Sequence, residues 1–99
     1  MERNKGLSVQ TIEIMMPTHV GFHLRVVAGF VVFVRQYRST IQVCKGKLKA
    51  DGKNVLGLLL LAAAWKSKLQ ITATGDDAEQ TIAGIKRFFQ TEKNLPINN

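Results

Sequence analysis

The sequence predicts an α+β fold, in which a four-stranded, mainly antiparallel sheet carries all of its helices on one face. Short segments alternate apolar and polar residues as strands do, longer segments repeat apolar residues at helical spacing, and turn residues separate them. The element order is β–(α)–β–β–α–β–α, where the parentheses mark a segment whose local pattern fits either a helix or a strand. Because 99 residues provide one modest core, we expect a single domain over residues 1–99. Its core is expected at about residues 8–92, between flexible termini.

The first strand and the segment after it carry different signals. Ser8 to Met15 alternates, and Pro17 ends the strand. Leu24 to Tyr37 is rich in valine, which favours a strand, and it contains Gly29, which weakens a helix. Its length favours a helix, as does helical spacing of its apolar residues Val27, Phe30, Val31 and Val34. The local pattern leaves both interpretations open.

The later elements follow from alternation, turns and caps. Thr40 to Lys45 predicts a strand, and a turn at Gly46 returns Lys47 to Ala50 antiparallel to it. Asn54 is expected to cap a short helix that runs through Leu61. Leu69 to Thr74 alternates as the last strand. The final helix is predicted over Ala78 to Gln90, with an apolar face of Ile82, Ile85, Phe88 and Phe89.

The charge balance is strongly basic, with 14 Lys and Arg residues against 7 Asp and Glu. Such a surface attracts nucleic acid, anionic lipid or an acidic protein. The charges are dispersed along the chain, however, which is typical of a solvated surface. The predicted strands carry Ile, Val and Thr instead of the aromatic residues that stack on bases. We therefore expect no nucleic-acid partner.

The cellular location follows from cysteine content and hydropathy. Cys44 is the only cysteine and has no partner for an internal disulfide, which fits a reduced compartment. The N-terminal residues lack the apolar core of a signal peptide. The uncharged stretches Val26 to Val34 and Asn54 to Trp65 are too short to span a bilayer. We expect a cytoplasmic protein without membrane insertion.

Few residues are available for chemistry. Two histidines and one cysteine are a weak basis for a metal site. No acidic residue lies near either histidine in sequence, and no glycine-rich nucleotide motif occurs. These observations disfavour the ordinary enzyme classes, and we expect neither a metal nor a cofactor.

The segment Gly21 to Arg25 (GFHLR) has a pattern suited to phosphate. If a helix begins just after His23, the imidazole lies at its N-terminus, where free N–H groups and the helix dipole favour an anion. Arg25 offers a planar set of donors that matches phosphate oxygens. A neutral imidazole is also nucleophilic near physiological pH. On the residues alone, a solvated loop histidine is the commoner alternative.

The chain resembles HPr, the histidine-containing phosphocarrier family of the bacterial sugar phosphotransferase system, without gaps from about Val9 to Gln90. The segment GFHLR matches the family's active-site motif G-[LIF]-H-x-R. The run KNVLGL from Lys53 to Leu58 matches its second motif, which surrounds a regulatory serine. The interval between the motifs also agrees, as do the strand LQITATG and the helix start GDDAEQTI.

The resemblance implies an open-faced β-sandwich of βαββαβα order, with Leu24 to Tyr37 as its first helix. Enzyme I, charged from phosphoenolpyruvate, would phosphorylate His23, and Arg25 would steady the phosphate. His23 would then pass the group to an enzyme IIA-type acceptor or a regulatory protein. The chain would thus be a carrier, expected as a monomer, with a transient phosphohistidine and no substrate of its own. Partner docking would involve Val55, Leu56, Leu59 and Arg35.

The sequence departs from the family pattern at several positions. Val26 replaces the usual proline, which suits the first position of a helix, and should start the helix less firmly. Asn54 replaces the regulatory serine, so no hydroxyl is present for a kinase, although the amide can still cap the helix. Ala62 and Lys66 replace two glycines. The missing proline and serine support an alternative function, in which phosphorylation of His23 is a regulatory signal and not a step in sugar uptake.

Trp65 and His19 can each be interpreted in two ways. Trp65 is either a partner contact or a cover over the end of the core. His19 is either a solvated loop residue or a neighbouring base for His23.

Overall fold

A computed structural model describes residues 8–16, 23–61, 63 and 66–93. Over these residues the elements follow the order β1 (Ser8–Met15), α1 (Leu24–Val34), β2 (Thr40–Lys45), β3 (Leu48–Asp51), α2 (Val55–Leu60), β4 (Lys68–Gly75) and α3 (Ala78–Lys93). The strands form one antiparallel sheet in the order β1–β4–β2–β3. The predicted α+β architecture, a four-stranded sheet with three helices, is confirmed.

The sheet has one covered face and one open face. Ile12, Ile71, Val43 and Ala50 pair across all four strands and belong to the core or pack against it. The next paired row, Thr11, Thr72, Gln42 and Asp51, lies on the open face, because successive residues of a strand point to opposite faces. The alternation seen in the sequence therefore sets which face the helices cover.

The segment that fits either a helix or a strand by its local pattern is the helix α1. Its apolar stripe is buried against the sheet and the other helices, with Val26, Val27, Phe30, Val31 and Val34 all at 2% exposure or less. The ring of Phe30 lies 5.7 Å from Phe88 and 5.6 Å from Phe89 of α3, measured between centroids. Burying such side chains contributes about 1.5–3 kcal/mol each, which exceeds the helix-propensity cost of a valine, below about 1 kcal/mol.

α1 begins at Leu24 as expected, but its C-terminal boundary differs from the expectation. The helix stops at Val34, three residues before Tyr37, and Arg35 is its C-terminal cap. Val26 is the third helical residue and fully buried, so it does not occupy the first position that a proline would suit. Its contribution is core packing.

The other elements lie within a few residues of their predicted bounds. β3 runs from Leu48 to Asp51 in place of Lys47 to Ala50, β4 gains one residue at each end, and α3 continues to Lys93. α2 ends at Leu60, with Leu61 as its C-terminal cap. Lys66, at a position where the family that the sequence resembles often has glycine, has a positive φ of 69°, in the left-handed region that glycine adopts at least cost.

A polar junction joins the α1–β2 turn to the start of α3. The Asp77 carboxylate accepts from the Ser39 hydroxyl and from the backbone N–H groups of Ser39 and Arg38, at 2.5, 2.9 and 2.8 Å. These bonds, the Ser39 hydroxyl first, lower the pKa of Asp77 to about 2. The Arg38 guanidinium binds Asp76 through two nitrogens, at 2.6 and 3.2 Å.

Candidate functional site

His23 forms the N-terminal cap of α1. Its backbone is extended, with φ −99° and ψ 177°. Its carbonyl accepts the N–H of Val27 at 2.8 Å, which is the first hydrogen bond of the helix. Its ring nitrogen Nδ1 accepts the N–H of Arg25 at 3.3 Å. The structure thus places the imidazole at a helix N-terminus, as the sequence predicts.

The two ring nitrogens of His23 have different surroundings. Nδ1 accepts a hydrogen bond and therefore carries the lone pair, so that Nε2 carries the hydrogen in the neutral ring. Nε2 is shielded from solvent and has no hydrogen-bond partner within the described part of the chain. Nδ1 is the nitrogen that faces the start of the helix.

The first turn of α1 is an electropositive environment. The N–H groups of Leu24, Arg25 and Val26 precede the first intrahelical bond, so they point out of the helix end. No acidic residue lies in this turn. Arg25 is the second helical residue and is exposed. A phosphoryl group on Nδ1 would meet backbone donors and the positive end of the helix dipole, in the same helical turn as the exposed Arg25.

The second motif forms α2, which packs against α1. The Asn54 amide oxygen accepts the N–H of Gly57 at 3.0 Å, so the predicted cap is confirmed. Of the predicted docking residues, Leu56 is 65% exposed, whereas Val55 and Leu59 are half-buried and pack against the core. Their role in docking stays a prediction.

Two exposed leucines were not identified from the sequence. Leu60 is 72% exposed and Leu24, beside His23, is 61% exposed. Leu56 and Leu60 are four residues apart and share one face of α2. This spacing was a usable signal, but the run VLGLLL has no polar residue that would mark the exposed face.

Other candidate residues lie away from His23 or outside the described residues. Arg35 is exposed at the C-terminal end of α1, roughly 15 Å along the helix axis from Arg25 at 1.5 Å per residue. It therefore does not flank Arg25, and its docking role stays a prediction. His19 and Trp65 lie outside the described residues. Cys44 is a half-buried free thiol in β2.

Two further features are absent from the described residues: a metal-binding cluster and a membrane-spanning helix. Across residues 8–16, 23–61, 63 and 66–93, no three His, Cys, Asp or Glu side chains come together as they would around a metal ion. Within the same ranges, no helix is both long enough and apolar enough to cross a membrane.

Comparison with known proteins connects this geometry to a family. Residues 10–91 match the profile of the PTS-HPr family, described as the PTS HPr component phosphorylation site. The chain is 25% identical over 84 residues to a phosphocarrier protein HPr of Treponema pallidum, which covers 85% of this chain and 93% of that protein. It is 25% identical to the HPr-like protein Crh of Bacillus subtilis, over 84% of this chain and 95% of the relative.

A solved structure has the same fold. The crystal structure of HPr from Thermoanaerobacter tengcongensis superposes with a TM-score of 0.83 and 24% sequence identity. The superposition covers 88% of this chain and 98% of that one. At this identity the likeness supports the fold alone.

Proposed function

This chain belongs to the HPr family of phosphotransferase-system phosphocarriers, and from that premise we propose that His23 is its phosphoryl acceptor. The donor is enzyme I, which is charged from phosphoenolpyruvate. The acceptor is an enzyme IIA-type protein of the sugar phosphotransferase system. The observation that carries the proposal is the His23 imidazole at the N-terminus of α1, with Nδ1 directed at the first backbone N–H groups.

The transfer proceeds through Nδ1. The Nδ1 lone pair attacks the phosphorus atom of the donor's phosphoryl group. A bond from Nδ1 to phosphorus forms as the donor's bond to phosphorus breaks, and the bonding electron pair leaves with the donor atom. Nε2 keeps its hydrogen throughout, so no proton has to enter or leave the shielded side of the ring. The reverse sequence of bonds passes the group to the acceptor.

The start of α1 stabilises the phosphorylated state. The phosphoryl oxygens carry negative charge, and the outward N–H groups of the first turn and the Arg25 guanidinium are donors of the right sign. The Arg25 N–H moves from Nδ1 to a phosphoryl oxygen, because Nδ1 loses its lone pair when it is phosphorylated. Stabilisation of this kind is modest and reversible, which suits a carrier that must release the group again.

The apolar surface beside His23 would dock the partners. Leu24 directly follows His23, and Leu56 and Leu60 are exposed on α2, which packs against α1. Exposed leucines next to a reactive centre are suited to a short-lived protein interface. Val55 and Leu59 would support that surface from below. We expect the carrier to act in the cytoplasm as a monomer.

The test is transfer of labelled phosphate. The chain is incubated with enzyme I from the same organism and with labelled phosphoenolpyruvate. We expect an acid-labile label on the wild-type chain, no label on His23→Ala, and full label on His19→Ala, which removes the other histidine. Label that persists on His23→Ala, or a wild-type chain that takes no label, would contradict the proposal.

A regulatory role is the second candidate. Asn54 has no hydroxyl at the family's regulatory position, and Val26 replaces the usual proline, so this chain lacks two features of the common carriers. In this alternative His23 is still phosphorylated, but the phosphorylation acts as a regulatory signal and not as a step in sugar uptake. If labelled chain fails to pass phosphate to any sugar-specific acceptor, whereas its phosphorylation changes binding to a regulatory protein, the regulatory role is supported.

A further inference from the structure

A polar depression of about 440 Å³ lies on the open face of the sheet, at the end where β3 stops. β3 ends at Asp51, which pairs with Gln42, whereas β2 begins two residues before Gln42, at Thr40. After Asp51 the chain turns at Gly52, whose N–H donates to the Ile41 carbonyl at 2.7 Å. The early end of β3 thus leaves room beside the first residues of β2.

Five polar side chains from three neighbouring strands line the depression. Thr40 pairs with Thr74, and Gln42 pairs with both Thr72 and Asp51. Residues that pair directly, or that lie two apart on one strand, share a face of the sheet, so all five project to the open side. The Cβ atoms of paired residues are about 4.5–5.5 Å apart. One small molecule can therefore contact several of these side chains at once.

The array keeps polar groups that are unpaired within the described part of the chain. The Asp51 carboxylate accepts the N–H of Lys53 through Oδ1, at 2.9 Å, which leaves Oδ2 open. Gln42 Oε1 accepts from the Cys44 thiol at 3.6 Å, which leaves its amide nitrogen. The hydroxyl of Thr74 is also open, since Thr40 bonds only the Thr74 carbonyl. The depression thus offers a charged acceptor, an amide donor and a hydroxyl that both donates and accepts.

Lys53 makes the lining formally neutral. Its Nζ donates to the Tyr37 carbonyl at 2.9 Å, so the side chain reaches from the end of β3 to the connection between α1 and β2. Its positive charge offsets that of the Asp51 carboxylate. The described residues that line the depression include neither a second carboxylate nor an aromatic ring. A cation therefore lacks ligands here, an anion meets Asp51, and a nucleotide base has no ring on which to stack.

We propose that this depression binds a small neutral polyhydroxylated molecule, of the class of monosaccharides and cyclic polyols. Neighbouring hydroxyls of such a molecule donate to a carboxylate and accept from an amide or a hydroxyl, which are the groups that Asp51, Gln42 and Thr74 present. The volume lies within the range of small-molecule sites, about 300–1,000 Å³. The inference goes beyond the proposed function and does not depend on it, because the helices and His23 are on the other side of the sheet.

The test is a titration of the full chain with D-glucose, D-galactose and myo-inositol, monitored by amide NMR spectra. We expect saturable shifts of the signals of Thr40, Gln42 and Thr72 with at least one of these probes. The signal of Leu24, beside His23, should not move. If no probe gives a saturable shift, or if the shifts centre on Leu24, the proposal is overturned. Tighter binding of glycine, a zwitterion, than of any of the three probes also overturns it.

Matched variants connect the binding to the depression. Asp51→Asn keeps Oδ1 for the Lys53 N–H but removes the charge, and hydrogen bonds to a charged group are about twice as strong as neutral ones, so we expect affinity to fall about tenfold. Thr74→Val keeps the shape but removes the hydroxyl, and should lower affinity about threefold. The control Glu13→Gln removes a carboxylate from a separate depression on the open face and should bind as wild type does. Equal losses in Asp51→Asn and Glu13→Gln, or unchanged affinity in both Asp51→Asn and Thr74→Val, contradict the site.

Discussion

His23 combines two structural roles. Its carbonyl begins the hydrogen bonding of α1, and its ring accepts an N–H from the same turn. The sequence identifies this residue through the motif GFHLR and the expectation of a helix start. The choice between Nδ1 and Nε2 depends on the ring orientation, which only the structure supplies. Asn54 is the corresponding cap of α2, and here the residue type alone predicts the bond that the structure contains.

Asn54→Ala tests the cap at the residue scale. Loss of the amide oxygen leaves the Gly57 N–H without its acceptor, so we expect the free energy of unfolding to fall by about 1 kcal/mol. The measurement is urea denaturation monitored by circular dichroism. Asn54→Ser is the matched control, because a hydroxyl also accepts at this position, and it should stay close to wild type. Equal losses in both variants would argue against the capping role.

α1 shows how tertiary contacts decide the type of an element. Its valines and Gly29 are poor helix formers, but five of its apolar residues lie on one buried stripe, namely Val26, Val27, Phe30, Val31 and Val34. The helix ends where the chain must turn to place Ser39 on Asp77. α3 accommodates α1 at Gly84, where a Cβ would collide with Tyr37 Oη and lie 3.1 Å from Phe33 Cζ.

Two helical glycines give a matched prediction at the element scale. Ala at Gly29 would place its Cβ 3.7 Å from the Phe88 ring, an ordinary contact, so Gly29→Ala should raise the free energy of unfolding by about 0.5–1 kcal/mol. Gly84→Ala gains the same propensity but overpacks the α1–α3 contact, so it should be less stable than Gly29→Ala by about 1–3 kcal/mol. Thermal and urea unfolding of both variants will show which of the two is more stable. Similar stabilities would show that the contact adapts at little cost.

At the scale of the whole molecule, the structural carboxylates and the candidate histidine lie at opposite ends of α1. The Asp77 junction joins the turn that follows the C-terminus of α1 to the start of α3, and so ties α1, β2 and α3 together. His23 caps the N-terminus of α1. Structural carboxylates are thereby kept away from the place where phosphate would be bound.

Acid titration tests the Asp77 junction. The folded-state pKa of Asp77 is about 2, below its unfolded value of about 3.9. The carboxylate therefore contributes stability that is fully present above about pH 4 and is lost as the pH falls from 4 toward 2. We expect the difference in unfolding free energy between wild type and Asp77→Asn to shrink over this window. Asp76→Asn is the control, because it leaves the bonds between Asp77 and Ser39 in place. Its free energy of unfolding should fall between pH 4 and pH 2 as much as that of wild type. A pH-independent difference for Asp77→Asn would contradict this account.

Local patterns in the sequence predict every element except the type of α1, together with the buried face of the strands, the cap at Asn54 and His23 as the candidate residue. These follow from periodicity and local hydrogen bonding, which act over a few residues. The local pattern left the type of Leu24–Val34 open, and its burial in the fold explains why it is a helix. The direction of Nδ1 toward the helix N-terminus and the exposure of Leu56 and Leu60 on α2 are likewise visible only in the folded chain. The physical reason is that burial and ring orientation depend on strands and helices far apart in the chain.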